Sequence, residues 1–180
     1  MTLPPVALDA ALRALLEADA RPVVLIDGGA GAGKSTLARQ LGEHWPEPRG
    51  VQVVSLDELY PGWGGLAAAS QAVPDLIRGT GFTTWDWLRN APGTHRALDP
   101  SVALIVEGCG ALTPASRTLA GVAVWIELDA AARRDRALAR DGAGFAAHWE
   151  EWAAQEAAHW RADRPWELAD LILGPPPEAS

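Results

Sequence analysis

One nine-residue run constrains the fold more than anything else in the chain: Gly28-Gly29-Ala30-Gly31-Ala32-Gly33-Lys34-Ser35-Thr36. It satisfies the G-x-x-x-x-G-K-[ST] spacing of a loop that wraps phosphate with its backbone amides. The other fourteen basic residues are arginines and Lys34 is the sole lysine, so arginine does not serve at this position. A compact ammonium on a thin stem fits inside such a loop, where a planar guanidinium would clash. The flanks agree. Pro22 to Asp27 is a short apolar, β-branched run that reads as a buried strand, and Lys34 to Leu41 carries Leu37, Ala38 and Leu41 at helical spacing. A helix starting at the loop adds partial positive charge where a phosphate would sit.

The rest of the chain alternates in the same way. Val51–Leu56, Val102–Val106, Val122–Leu128 and Leu171–Leu173 read as further short strands. Leu8–Ala20, Asp129–Arg140 (with Asp129 as N-cap) and Phe145–Arg161 read as helices, and Leu66–Arg78 as partly helical. Tyr60–Gly65 is a loop by its turn chemistry, and Gly79–Pro100 is expected to be irregular and Trp-rich. Strands apolar on both faces and separated by helices imply an α/β fold with a mostly parallel sheet covered on both sides. A length of 180 residues suits one domain, residues 1–174, and the proline run after Gly174 implies a disordered tail over residues 175–180.

Ligands of such sheets bind at the carboxyl ends of the strands. Asp57 and Glu107 fall there, each directly after an apolar run. Lys34 is expected to contact the β- and γ-phosphates, and Ser35 to place its hydroxyl on Mg²⁺. The expected ATP-binding set is Gly29, Ala30, Gly31, Ala32, Gly33, Lys34, Ser35 and Thr36, with Arg133 and Arg140 from the helix opposite. Glu107 would hold the metal or its waters, with Asp57 close by. Asp57 is also the candidate base for an attacking hydroxyl, although a helix N-cap is the plainer role for it. Arg133, Arg136 and Arg140 are three and four residues apart and share a helical face. Over a triphosphate they would neutralise charge on the group in transfer, with Arg136 catalytic; the plain alternative is a solvated face. Tyr60, Trp85 and Asp86 are the candidate acceptor-binding residues, and core packing is the competing role for the Trp85 segment.

Composition limits the partners. The net charge is −8 and no basic cluster precedes residue 130, which argues against nucleic acid as a partner. The stretch Arg133, Arg134, Arg136, Arg140 suits a phosphate chain better than a duplex. No apolar run is long enough to span a bilayer, no secretory signal is visible, and Cys109 is the lone cysteine, so no membrane partner and a cytoplasmic location are expected. A monomer or homodimer acting on a small molecule fits these limits.

The motifs together resemble the uridine kinase branch of the P-loop kinases, over most of residues 22–173. The glycine loop is shared by many ATPases. More specific are Asp57-x-x-Tyr60, similar to the segment carrying that branch's base; Leu104–Gly108, similar to its strand ending in Glu-Gly; and Asp129, Arg133, Arg136, Arg140 and Asp141, which match its lid pattern. Ala169–Leu173 resembles its strand close to adenine, and Trp85-Asp86 corresponds to a substrate-binding acid. The resemblance implies a P-loop NTPase fold, a five-stranded parallel sheet in the order 2-3-1-4-5, helices on both faces and a small helical lid over residues 130–145. It also implies an ATP- and Mg²⁺-dependent kinase for a small-molecule hydroxyl, such as that of a nucleoside. The chain departs from the branch after the lid, where Asp141-Gly142-Ala143-Gly144 replaces Arg-Gly-Arg, and no nucleoside-reading segment is recognisable at 79–96. Two other readings stay open: a nucleotide-dependent switch or regulatory ATPase, and a kinase whose acceptor is itself a phosphate, such as a nucleotide.

Overall fold

The computed structural model describes residues 21–45 and 50–174. The expected helix at Leu8–Ala20 and the expected tail at 175–180 lie outside the described residues. In chain order the elements are β1 (Val23–Gly28), α1 (Lys34–Glu43), β2 (Val51–Ser55), α2 (Leu66–Arg78), β3 (Gly81–Asp86), β4 (Ala91–Ala97), β5 (Ala103–Glu107), α3 (Pro114–Arg117), β6 (Val122–Ile126), α4 (Ala130–Ala146), α5 (Trp149–Asp163), α6 (Pro165–Leu168) and β7 (Leu171–Leu173). A single 3-10 turn, Leu56–Glu58, follows β2.

Five strands form one sheet in the order β2-β5-β1-β6-β7, and every pairing in it is parallel. The strand numbering therefore differs from the expected 2-3-1-4-5. The difference arises at residues 81–97, expected to be irregular, which form β3 and β4, an antiparallel pair separate from the main sheet.

Every residue of β1, β5 and β6 is buried, because these central strands have a helical layer against each face. Side-chain alternation divides their residues between two cores. Val24, Ile26, Ile105, Val122 and Val124 pack with Leu37, Ala38 and Leu41 of α1. Val23, Leu25, Leu104 and Val106 pack on the other side with Val73, Leu76 and Ile77 of α2 and Trp149 and Trp152 of α5. Parallel pairing brings the carboxyl ends of β1, β2 and β5 to one edge, with Gly28, Ser55 and Glu107 at the ends of their strands.

The helix expected from Asp129 does start there, and the Asp129 carboxylate caps it by accepting from the Ala132 amide. It runs on to Ala146 with a break at Gly142 (φ 65°, ψ −150°). A side chain at that φ would be strained, so glycine is what permits the bend. The next helix begins at Trp149, four residues later than the sequence indicates.

Candidate active site

The glycine loop leaves β1 and enters α1 through Gly31 (φ 80°) and Gly33 (φ 110°), both left-handed. Gly31 is required for a second reason: a Cβ there would sit 2.1 Å from the carbonyl oxygen of Arg133. At Gly29 a Cβ would meet the Arg133 guanidinium at 2.2 Å. Helix α4 is thus packed directly against the loop, and at Gly31, where the clash is with backbone, only glycine admits it.

Lys34 is buried, its ammonium donating to the Gly29 carbonyl at 3.0 Å and lying 3.3 Å from Cys109 Sγ. Burial alone would lower its pKa. Cys109, Glu107, Glu156 and Asp27 outweigh that and leave it raised. Burial pushes the Cys109 thiol well up, against the pull of the neighbouring Lys34 charge.

Glu107 ends β5, buried beside this ammonium. Burial raises its pKa first, and Asp57 adds to that. Lys34 and hydrogen bonds from the Ser55 and Ser35 hydroxyls act in the opposite direction. Ser35 and Glu107 line the same cavity, as a shared metal site would require. Carboxylate and hydroxyl oxygens are hard donors that fit Mg²⁺ with water and phosphate completing its shell. Among the described residues there is no cluster of three or more His, Cys, Asp or Glu side chains suited to hold a metal without such help.

Asp57 stands exposed on the 3-10 turn, whose Ser55 hydroxyl accepts from the Asp57 amide at 3.3 Å. It shares a cavity of about 620 Å³ with Lys34, Ser35 and Glu107. Tyr60 forms part of the same wall. Its hydroxyl donates to the Cys109 carbonyl at 2.8 Å and its ring meets Trp152 edge-on at 4.8 Å. The phenol is pushed well up, by burial first and then by the negative groups around it.

The three lid arginines do not act as a set. Arg136 and Arg140 are exposed and, with Gly31, Gly33, Lys34 and Thr36, line a second cavity of about 210 Å³ over the loop. Arg133 is buried below it. Its guanidinium pairs with Glu156 at 3.2 Å, donates to the Leu128 and Ala30 carbonyls, and lies 5.1 Å above the Trp160 ring. That engagement takes Arg133 away from the open side of the loop, where a triphosphate-binding arginine was expected. It lies one turn from the helix start, where α4 is closest to the loop backbone.

Trp85 and Asp86 also separate. Trp85 lines the large cavity. The Asp86 carboxylate turns into the β3–β4 turn, accepts from the Leu88 and Arg89 amides at 3.0 Å each, and is not part of the cavity wall. Its place is a hairpin cap.

Sequence reasoning missed Glu156. This carboxylate of α5 accepts from the Ala30 loop amide at 2.6 Å, from Trp152 Nε1 at 3.1 Å and from the Cys109 thiol at 3.2 Å, besides pairing with Arg133. The available signal was spacing: Trp149, Trp152, Glu156 and His159 fall on one helical face, and an acid among core aromatics needs partners. Trp63 and Phe145 also line the large cavity without having been singled out for it, and so does Trp87, which flanks Asp86 in the Trp85 segment.

No family model and no curated protein matches the chain. Solved structures do match. A possible uridine kinase from Bacillus stearothermophilus superposes with a TM-score of 0.60 at 17% identity, over 93% of this chain and 99% of its own. A candidate fructose transport system kinase from Silicibacter sp. TM1040 superposes with a TM-score of 0.53 at 21% identity, over 94% of this chain and 100% of its own. The chain has the α/β fold of these two structures, with a five-stranded parallel sheet and helices against both faces.

Proposed function

We propose that the protein is an ATP- and Mg²⁺-dependent phosphotransferase that moves the γ-phosphate onto a hydroxyl of a small molecule. One observation carries the reading. Lys34 and Ser35 of the glycine loop, Glu107 of the neighbouring strand and Asp57 all line a single cavity with room beyond them for an acceptor. The kinase folds of the two matched structures support it.

In this reading the amides from Gly31 to Thr36 hold the phosphate chain against the start of α1. Ser35 and Glu107, with Asp57 nearby, would hold Mg²⁺, which would supply neutralisation of the phosphate charge. The acceptor hydroxyl gives its proton to Asp57 as its oxygen bonds to the γ-phosphorus, and the bond to the β,γ-bridging oxygen breaks to release ADP. Lys34 leaves the Gly29 carbonyl for the phosphates. Arg136 and Arg140 stabilise the equatorial charge from above, while Arg133 supports the loop from below.

The test is a screen for ADP release with Mg²⁺ across nucleosides, sugars, vitamins and nucleotides. Release that depends on one hydroxyl-bearing acceptor is the expected result. Release without any acceptor would favour the switch reading. No uptake of any nucleoside triphosphate in calorimetry would overturn the proposal.

A further inference from the structure

The lining of the large cavity is of two chemical kinds. Lys34, Ser35 and Glu107 form its phosphate-binding part in the reading above. Trp63, Trp85, Trp87 and Phe145 line it as well, together with the carboxylates of Asp57 and Glu58. The basic side chains that line the cavity are Lys34 and Arg140. Lys34 is engaged at the loop. Arg140 is clamped to Asp141 by two bonds of 2.7 and 2.6 Å and belongs also to the smaller cavity over the loop. An anionic acceptor would thus meet aromatic faces and carboxylates, with Lys34 engaged at the loop and Arg140 already paired to Asp141, which disfavours a phosphorylated acceptor.

The same walls suit the opposite charge. Trp63 and Trp87 have ring centroids 5.0 Å apart and planes tilted by 58°, forming an aromatic corner. Trp87 is anchored by donating from Nε1 to the Asp57 carbonyl at 2.8 Å, which holds the corner beside the Asp57 carboxylate. Glu58 is balanced by Arg96, whereas Asp57 makes no ion pair among the described residues. A neutral guest would strip water from Asp57 and return no charge. A cation among the rings gains from their π faces and compensates that carboxylate together.

Resting on the phosphotransfer reading above, we infer that the acceptor is an organic cation, with its positive group against Trp63, Trp85 and Trp87 and its hydroxyl directed to Asp57. The γ-phosphate then moves to that hydroxyl as already described, and the cationic group takes no part in bond making.

Two pairs of hydroxyl-bearing probes, each a cation and its uncharged isostere, test this by calorimetry on the full chain. They are choline with 3,3-dimethylbutan-1-ol, and 1-methyl-3-(hydroxymethyl)pyridinium with 3-methylbenzyl alcohol, each with and without the non-hydrolysable analogue AMP-PNP and Mg²⁺. The cation of at least one pair should bind about tenfold more tightly than its isostere. Trp87→Leu, at a partly exposed position, should remove that preference and leave AMP-PNP affinity unchanged. Equal binding within both pairs, or no binding of any probe while AMP-PNP binds normally, overturns the inference and leaves the kinase reading standing. Loss of AMP-PNP binding in the unmodified protein overturns the kinase reading itself.

Discussion

The carboxylate of Glu156 accepts a hydrogen bond from the amide of Ala30 at 2.6 Å, so a residue of the last long helix holds the glycine loop in shape. Its other oxygen pairs with Arg133. Glu156→Ala would leave the Arg133 charge buried without its partner, a change that costs about 3–5 kcal/mol. Urea unfolding should register that loss. Glu156→Gln keeps the shape and an acceptor oxygen, so it should fold closer to the parent while weakening triphosphate binding. A Glu156→Ala variant as stable as the parent would remove Glu156 from this supporting role.

Lys34→Met should abolish phosphoryl transfer, and Lys34→Arg should not restore it, because the fork of a guanidinium does not fit where the ammonium lies against the Gly29 carbonyl and Cys109. An ADP-release assay decides both. Turnover at the parent rate in Lys34→Met would remove the loop from the reaction.

Asp57→Asn should lower kcat by about a hundredfold or more with little change in nucleotide affinity. The residue is exposed on its turn and makes no ion pair among the described residues, so the substitution should leave the fold intact. Steady-state kinetics and calorimetry separate the two effects; an unaltered kcat would exclude Asp57 as the base.

Arg136 and Arg133 should fail in different ways. Arg136→Ala removes an exposed side chain at the small cavity over the loop and should slow transfer more than it weakens ATP binding. Arg133→Ala removes a buried partner of Glu156 and should destabilise the fold. If thermal melts and kinetics rank the two variants alike, the division between rim and support is wrong.

His159 lies 2.9 Å from an Asp163 oxygen and 3.4 Å from an Asp27 oxygen. Burial pulls its pKa down, but hydrogen bonding to Asp27 and the Asp27 charge, with Asp163 adding, leave it above the ordinary 6.5. The folded state therefore binds the proton more tightly than the unfolded chain. Its contribution is fully present below pH 6.5 and is lost as pH rises through the higher folded value. Urea unfolding from pH 6 upward should show stability falling across that window, and His159→Gln should flatten the fall.

The loop, its strand and its helix were legible because glycine, a lone lysine and a buried apolar run act over short distances. The central strands were legible because burial on both faces leaves uninterrupted apolar sequence, as in Leu104-Ile105-Val106. The hairpin was not. Pro92 and Gly93 within β4 argue against a strand, and its turn rests on Asn90 at φ 49° without a glycine beside it. Arg133 was misplaced for a different reason. Helical spacing groups it with Arg136 and Arg140, but only the packing of α4 under the loop turns the first guanidinium inward. Glu156 depends on partners more than a hundred residues away for the loop contact, and no local pattern names them.

The hairpin of β3 and β4 stands apart from the main sheet and touches the Asp57 turn through the Trp87 indole. In the proposed reading, Trp85 and Trp87, two of the acceptor-side residues, are thereby carried on a piece of chain separate from the glycine loop. If the phosphotransfer reading holds, residues 81–97 are a place for redesign of the acceptor to begin, provided that the bonds from Trp87 to Asp57 and from Arg96 to Glu58 and Val53 are kept.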